Sequence, residues 1–169
     1  MSIVPNLFRI REIRLHDNPW PAFDEVLAYW NRQRGDAFAP AWRDFDLMEI
    51  PRDLLPYTVV VDTPDISQPI KYRYFGSGIA LSHGFEMTGK TSDDIPTPQL
   101  RDHIISQYRQ IITARAPKMF VSEIYVKRGL RKQDLVLRLP LSNDGESVTN
   151  VVTVEHQTDE NQTLTQNGC

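Results

Sequence analysis

A hydroxyl at Ser122 and an amide at Asn150 stand on otherwise apolar faces of segments whose side chains alternate with a period of two. Burying such a group without a partner costs about 1–3 kcal/mol. Each therefore needs a neighbouring backbone group, an ordered water or the polar end of a bound molecule. By the same alternation Tyr72 and Tyr74 share one face, with Arg73 pointing the other way. Phenols combine a large ring with a hydroxyl, which suits a mostly apolar pocket; the alternative is a pair of core rings whose hydroxyls reach the surface. Arg43, Asp44 and Asp46 look like an acid/base cluster, but their place beside Trp42, between Pro40 and Pro51, favours salt bridges and turn caps. No Ser-His-Asp spacing, His-x-x-x-His pair, phosphate-cradling glycine loop or dinucleotide fingerprint occurs. The only cysteine is Cys169, which removes intramolecular disulfides, Cys-based zinc sites and an internal cysteine nucleophile.

The elements that must hold these groups are legible from periodicity. Pro19-Trp20-Pro21 precedes Phe23, Val26, Leu27 and Trp30 at helical spacing, with Asp24 and Glu25 early, Arg32 and Arg34 late and Gly35 beyond. That helix has a wide aromatic face, which must dock on the domain or on a second copy. Residues 38–57 read as a proline-punctuated connector with a single turn around Arg52 to Leu55. Tyr57 to Asp62 and Gln68 to Phe75 are expected strands joined by a long loop at Thr63-Pro64-Asp65. The period then changes, and Ile79 to His83 suits a short helix capped by Gly84. Pro98 to Arg115 is a clear helix, with Leu100, Ile104, Ile105, Tyr108, Ile111 and Ile112 on one stripe. Three sequential antiparallel strands follow, Met119 to Lys127, Gln133 to Leu141 and Ser147 to Gln157, joined by turns at Arg128-Gly129 and Asn143-Asp144-Gly145.

Alternation puts Phe120, Ser122, Ile124 and Val126 on one face of the first of these, Leu135, Leu137, Leu139 and Leu141 on one face of the second, and Val148, Asn150, Val152, Val154 and His156 on one face of the third. These are expected to be the inner faces. The opposite faces retain Val121, Tyr125, Val136 and Val151, which need a cover that the helix around Phe23 to Trp30 can supply. The fold class is α+β: an antiparallel sheet of about five strands with helices on one face and an N-terminal flanking helix. Phe8 and Ile10, alternating with Arg9 and Arg11, fit an added edge strand or a short helix equally well. The division expected is 1–36 as extension and flanking helix, 37–157 as the main domain and 158–169 as a mobile polar tail.

The chain of 169 residues, with 19 Lys and Arg against 22 Asp and Glu, has a net charge of −3 and no basic excess for nucleic-acid binding. No apolar stretch approaches the ~20 residues that span a bilayer, and Arg9, Arg11 and Arg14 interrupt the start where a signal peptide would be apolar. A cytoplasmic protein without nucleic-acid or membrane partners is expected.

Four motifs occur in order: Tyr29-Trp30 in the first helix, Arg43 through Pro56 in the connector, Tyr72 through Gly76 at a strand end, and Gly84-Phe85-Glu86-Met87-Thr88-Gly89-Lys90 after the short helix. In this order and spacing the chain, from about Leu27 to about Gln157, resembles a PAS domain, closest to a branch of PAS-like domains common in alphaproteobacteria. The resemblance implies a sensory module that encloses a small-molecule cavity between the sheet and its helices. It also implies that His83, Phe85 and Met87 wall that cavity, although His83 is as readily solvent-facing. With Cys169 as the only cysteine, a covalent flavin adduct is excluded; non-covalent flavin is not. Haem-binding members often use a histidine on the long helix, where His103 sits about 120° from the stripe and faces away, so haem is not expected.

The expected function is a stand-alone sensory domain that binds a mainly apolar, aromatic or carboxylate-bearing metabolite and signals through a protein partner or a homodimer. The candidate ligand-binding residues are Tyr72, Tyr74, His83, Phe85, Met87, Ile104, Tyr108, Ser122, Ile124, Leu137 and Asn150. A different class of reading is a small cone-shaped α+β isomerase or dehydratase using His83 or His156 with an aspartate as base, which requires a polar partner within about 3 Å inside the pocket. A third is a ligand-free interaction scaffold, favoured if the cavity holds no more than a water or two.

Overall fold

Val and Thr at 58–62 and the alternating runs after residue 118 build one twisted antiparallel sheet, and the helices are distributed over its two faces. The computed structural model describes residues 8–65, 67–126 and 130–157, with side chains at 9–65, 67–123 and 133–157. The strands are β1 (Phe8–Ile13), β2 (Thr58–Asp62), β3 (Lys71–Phe75), β4 (Lys118–Val126), β5 (Leu130–Leu141) and β6 (Asn150–Gln157), in spatial order β1-β4-β5-β6-β2-β3. The helices are α1 (Pro21–Arg34), α2 (Ser77–His83) and α3 (Pro98–Ala114).

The sheet has six strands rather than about five. The additional one is β1, which pairs antiparallel with β4 from Phe8↔Ile124 to Ile13↔Met119 and becomes the edge strand in its place. Lys118 donates to Glu12 across that pair at 2.7 Å. The tail at 158–169 and the turn at Arg128-Gly129 lie outside the described residues.

Helix α1 forms where its signals place it: Pro21 begins it, Arg32 and Arg34 occupy its last turn, and Gly35 follows with a φ of 54°. It buries Phe23, Val26, Tyr29 and Trp30 against Leu135, Leu137, Leu139, Val152 and Val154 of its own sheet. Fully burying side chains of this size is worth about 1.5–3 kcal/mol each. Two hydrogen bonds fix the docking, Trp30 Nε1 to the Pro140 carbonyl and the Asp46 amide to the Tyr29 hydroxyl, both 2.8 Å. Helix α3 covers the opposite face with Tyr108 and Ile111 packed on Phe120, Val136 and Val151.

The cover is therefore arranged differently from the expected one. The leucines of β5 and Val152 and Val154 of β6 face α1, whereas Val136 and Val151 face α3. Pairing register is the reason: Phe120 lies opposite Val136 and Met119 opposite Leu137, so the face that is inner on β4 continues onto the even-numbered residues of β5. Only β4 was assigned to the correct side; Val121 does face α1, and the Tyr125 side chain lies outside the described residues.

Helix α2 is pressed against the turn that precedes β2. A Cβ at Gly76 would lie 2.2 Å from the Pro56 carbonyl oxygen, and one at Gly78 would lie 2.7 Å from the Tyr57 ring. Backbone cannot yield as a flexible side chain can, so Gly76→Ala is expected to destabilise the fold by about 2–3 kcal/mol. Urea denaturation checks this, and an unchanged midpoint would refute the close approach.

Candidate functional site

Helical and strand periods bring a compact set of polar groups into the space between α3 and the sheet. On β5, Asp134, Val136 and Arg138 alternate with leucines and so project toward α3; on β6, Thr153 and Glu155 do the same. Among the described residues the buried charged ones are Asp134 and Arg138, at 3% and 4% exposure. Arg138 is held by Nε donating to Gln107 Oε1 on α3 and Nη1 donating to Thr153 Oγ1 on β6, each at 2.8 Å. Its guanidinium also lies 4.3 Å from the centre of the Tyr108 ring, a cation–π contact in a desolvated setting. A single cation thus ties β5 to both β6 and α3.

Glu155 faces the same space, with its Oε2 4.0 Å from Nε2 of His83 at the end of α2. Burial raises the affinity of this carboxyl for a proton, but hydrogen bonding and charge from His83, together with the Arg138 charge, outweigh it and hold the group below its usual range. No ion pair joins Glu155 to Arg138 among the described residues. Burial, reinforced by the neighbouring Tyr108, pushes the Tyr72 phenol well up against the opposing effect of Arg138, so it remains a hydrogen-bond donor. Aromatic walls complete the space: Tyr72 meets Phe75 edge-on at 5.7 Å, Phe75 stacks with Phe85 at 6.2 Å, and His83 lies 5.6 Å from Phe85.

The cavity enclosed by these groups is about 30 Å³, close to the share of liquid volume taken by one water and far below the ~300–1,000 Å³ of organic-ligand pockets. The hollow expected from the sequence is largely filled by its own side chains.

Tyr72, His83, Phe85, Ile104 and Tyr108 all line this cavity. Met87 is buried in the same apolar cluster without lining it, and Ser122 is half-buried opposite Asp134. Three residues lie elsewhere. Tyr74 is carried to the α1 face because the β2–β3 register shifts, with Val60 opposite Tyr74 but Val61 opposite Tyr72; its hydroxyl donates to the Leu55 carbonyl at 3.2 Å. The bulge leaves Arg73 beside Asp62 and over the Trp42 ring. Leu137 packs against α1. Asn150 is on that side too, its amide donating to Asp62 at 2.6 Å, so a neighbouring side chain satisfies it. The Ile124 side chain lies outside the described residues.

Arg138, Glu155, Thr153 and Gln107 were not among the residues singled out. A usable signal existed: Arg138 interrupts Leu135-Val136-Leu137 and Leu139-Pro140-Leu141, and a lone charge within an apolar strand needs a buried partner or a bound group. The Arg43, Asp44 and Asp46 cluster is structural, with Asp46 accepting from the Met48 amide and Arg43 3.8 Å from Asp44 at the surface. His156 stacks on Trp20 at 3.5 Å on the α1 side, away from the cavity, and His103 is not among the cavity residues. Among the described residues no group of three or more His, Cys, Asp and Glu could hold a metal ion.

A depressed carboxyl contributes stability that is present above its unfolded value of about 4.5 and lost as pH falls through its folded value. The stability difference between the parent and Glu155→Gln is therefore expected to be largest near neutrality and to shrink below about pH 4.5. Urea denaturation between pH 7 and 3 reads this; a difference that grows on acidification would reverse the assignment.

A family model described as a PAS domain matches residues 20–154. None of the curated proteins matches the chain. Among solved structures, the dark form of the blue-light photoreceptor Aureochrome1 LOV is 17% identical over 69% of this chain and 85% of that one, with a TM-score of 0.47. A variant of Vivid is 14% identical, covering 82% and 94%, with a TM-score of 0.46. VqmA bound to DPO is 12% identical over 67% of this chain and 58% of its own, with a TM-score of 0.47.

Proposed function

The chain belongs to the PAS domain family, and from that premise we propose that it is a sensory module in which the space between α3 and the sheet receives a small organic molecule and α1 carries the consequence outward. The observation that supports this reading is the charge placed in that space. Burying charged groups costs desolvation that apolar residues of similar volume avoid, so folding alone does not call for an arginine and a glutamate there. The family model spans this region and α1 together.

A ligand of ordinary size requires the wall formed by His83 and Phe85 to move, since the cavity of about 30 Å³ represents a closed form. His83 is the last residue of the seven-residue α2 and Phe85 follows Gly84, whose left-handed φ of 78° offers a place where the chain can pivot without moving the body of the helix. Residues 37–157 act as the receiving unit in this proposal. Its output route is short: β6 sets Glu155 toward the chamber and the adjacent His156 against Trp20 at the start of α1. A protein partner reading α1 is the simplest output, because α1 uses its apolar face within its own chain and makes no demand for a second copy.

A second reading, the ligand-free interaction scaffold, draws on the same small volume. The enzyme reading is less favoured: His83 faces Glu155 rather than an aspartate, and His156 is outside the chamber.

Native mass spectrometry of protein purified from cells, before and after denaturing extraction, is expected to reveal a retained small molecule. Hydrogen exchange is expected to slow in both α3 and α1 when the molecule is restored. If extraction of the purified protein yields no retained molecule, the scaffold reading replaces the sensor reading.

A further inference from the structure

The two charges that face the chamber restrict what it can accept. Arg138 uses Nε and Nη1 on Gln107 and Thr153, and among the described residues no acceptor holds Nη2. Glu155 lies across the same small cavity without pairing to Arg138, and both side chains line it. With His83, the third ionisable group on the wall, in its neutral form, one guanidinium and one carboxylate leave the chamber close to electrically balanced. A ligand carboxylate would add a second negative charge beside Glu155, and a ligand ammonium a second positive charge beside Arg138. In a space this small an uncompensated charge is costly.

From this balance we infer that the chamber reads an uncharged ligand with a flat body, whose polar end carries a hydrogen-bond acceptor next to a donor, as in an amide, a lactam or a hydroxylated heteroaromatic ring. The acceptor takes Nη2 of Arg138 and the donor gives to Glu155. The flat body lies among the rings of Tyr72, Phe75, Phe85 and Tyr108, where stacking adds to area burial. This replaces the carboxylate-bearing metabolite expected from the sequence, and it rests on the sensor reading above.

Four isosteric probes separate the alternatives: benzamide, benzoate, benzamidinium and acetophenone, which offer a neutral donor and acceptor, an anion, a cation and an acceptor alone. Titrated into ¹⁵N-labelled full-length protein at pH 8, benzamide is expected to shift the amides of Arg138, Glu155, Tyr108 and His83 and to bind roughly tenfold more tightly than any of the other three. Arg138→Gln is expected to remove that preference. Because this variant can also fail to fold, the ranking on the parent protein decides the matter. A preference for benzoate or benzamidinium, or acetophenone binding as well as benzamide, overturns the inference and leaves the sensor reading in place. Absence of interior shifts with all four probes at millimolar concentration overturns both.

Discussion

Strand β5 is the member on which both layers depend, because its period of two sends Leu135, Leu137, Leu139 and Leu141 to α1 and Asp134, Val136 and Arg138 to α3. The leucines supply an apolar floor for Phe23, Val26 and Trp30, while Arg138 supplies the polar clamp that joins β6 and α3. One strand therefore takes part in two cores of different character. A shift of a single residue in its pairing would exchange them, placing an arginine under α1 and a leucine over Tyr108. Pairing on both sides, with β4 and β6, makes that exchange expensive.

The same geometry makes the two faces mechanically close. Arg138 and the Pro140 carbonyl that accepts from Trp30 are two residues apart on one strand, and Glu155 and His156 are adjacent on the next. A change in the position of Arg138 or Glu155 has few bonds to traverse before it reaches α1. Interiors packed at crystal density transmit small displacements rather than absorb them.

The chamber itself combines features that pull in opposite directions. Its charges and phenols carry a desolvation cost that an apolar filling avoids, yet the groups are well arranged, with Arg138 held by two hydrogen bonds and a ring and the Glu155 carboxyl held below its usual range by its neighbours. Its free volume is that of one water. Its polar groups are thus already desolvated and oriented within the folded chain.

Most of the fold was legible in the amino-acid order. Helices α1 and α3, the hairpin of β2 and β3, the antiparallel run of β4 to β6 and the α+β class follow from local signals: prolines at helix starts, Gly35 beyond α1, and periods of 3.6 and 2. The four motifs that resemble a PAS domain carried the family as well. The site was half legible. Tyr72, His83, Phe85, Ile104 and Tyr108 were placed at the chamber because an apolar stripe or a short-helix exit marks them without reference to other strands. Leu137, Asn150 and Tyr74 were misplaced because alternation says which residues share a face but not which layer that face meets. Local sequence thus determined the elements and the grouping of side chains along each one. Tertiary structure alone decided the chamber, because the β4–β5 register and the bulge at Arg73 set which group meets α3, and both are properties of paired strands rather than of any one segment.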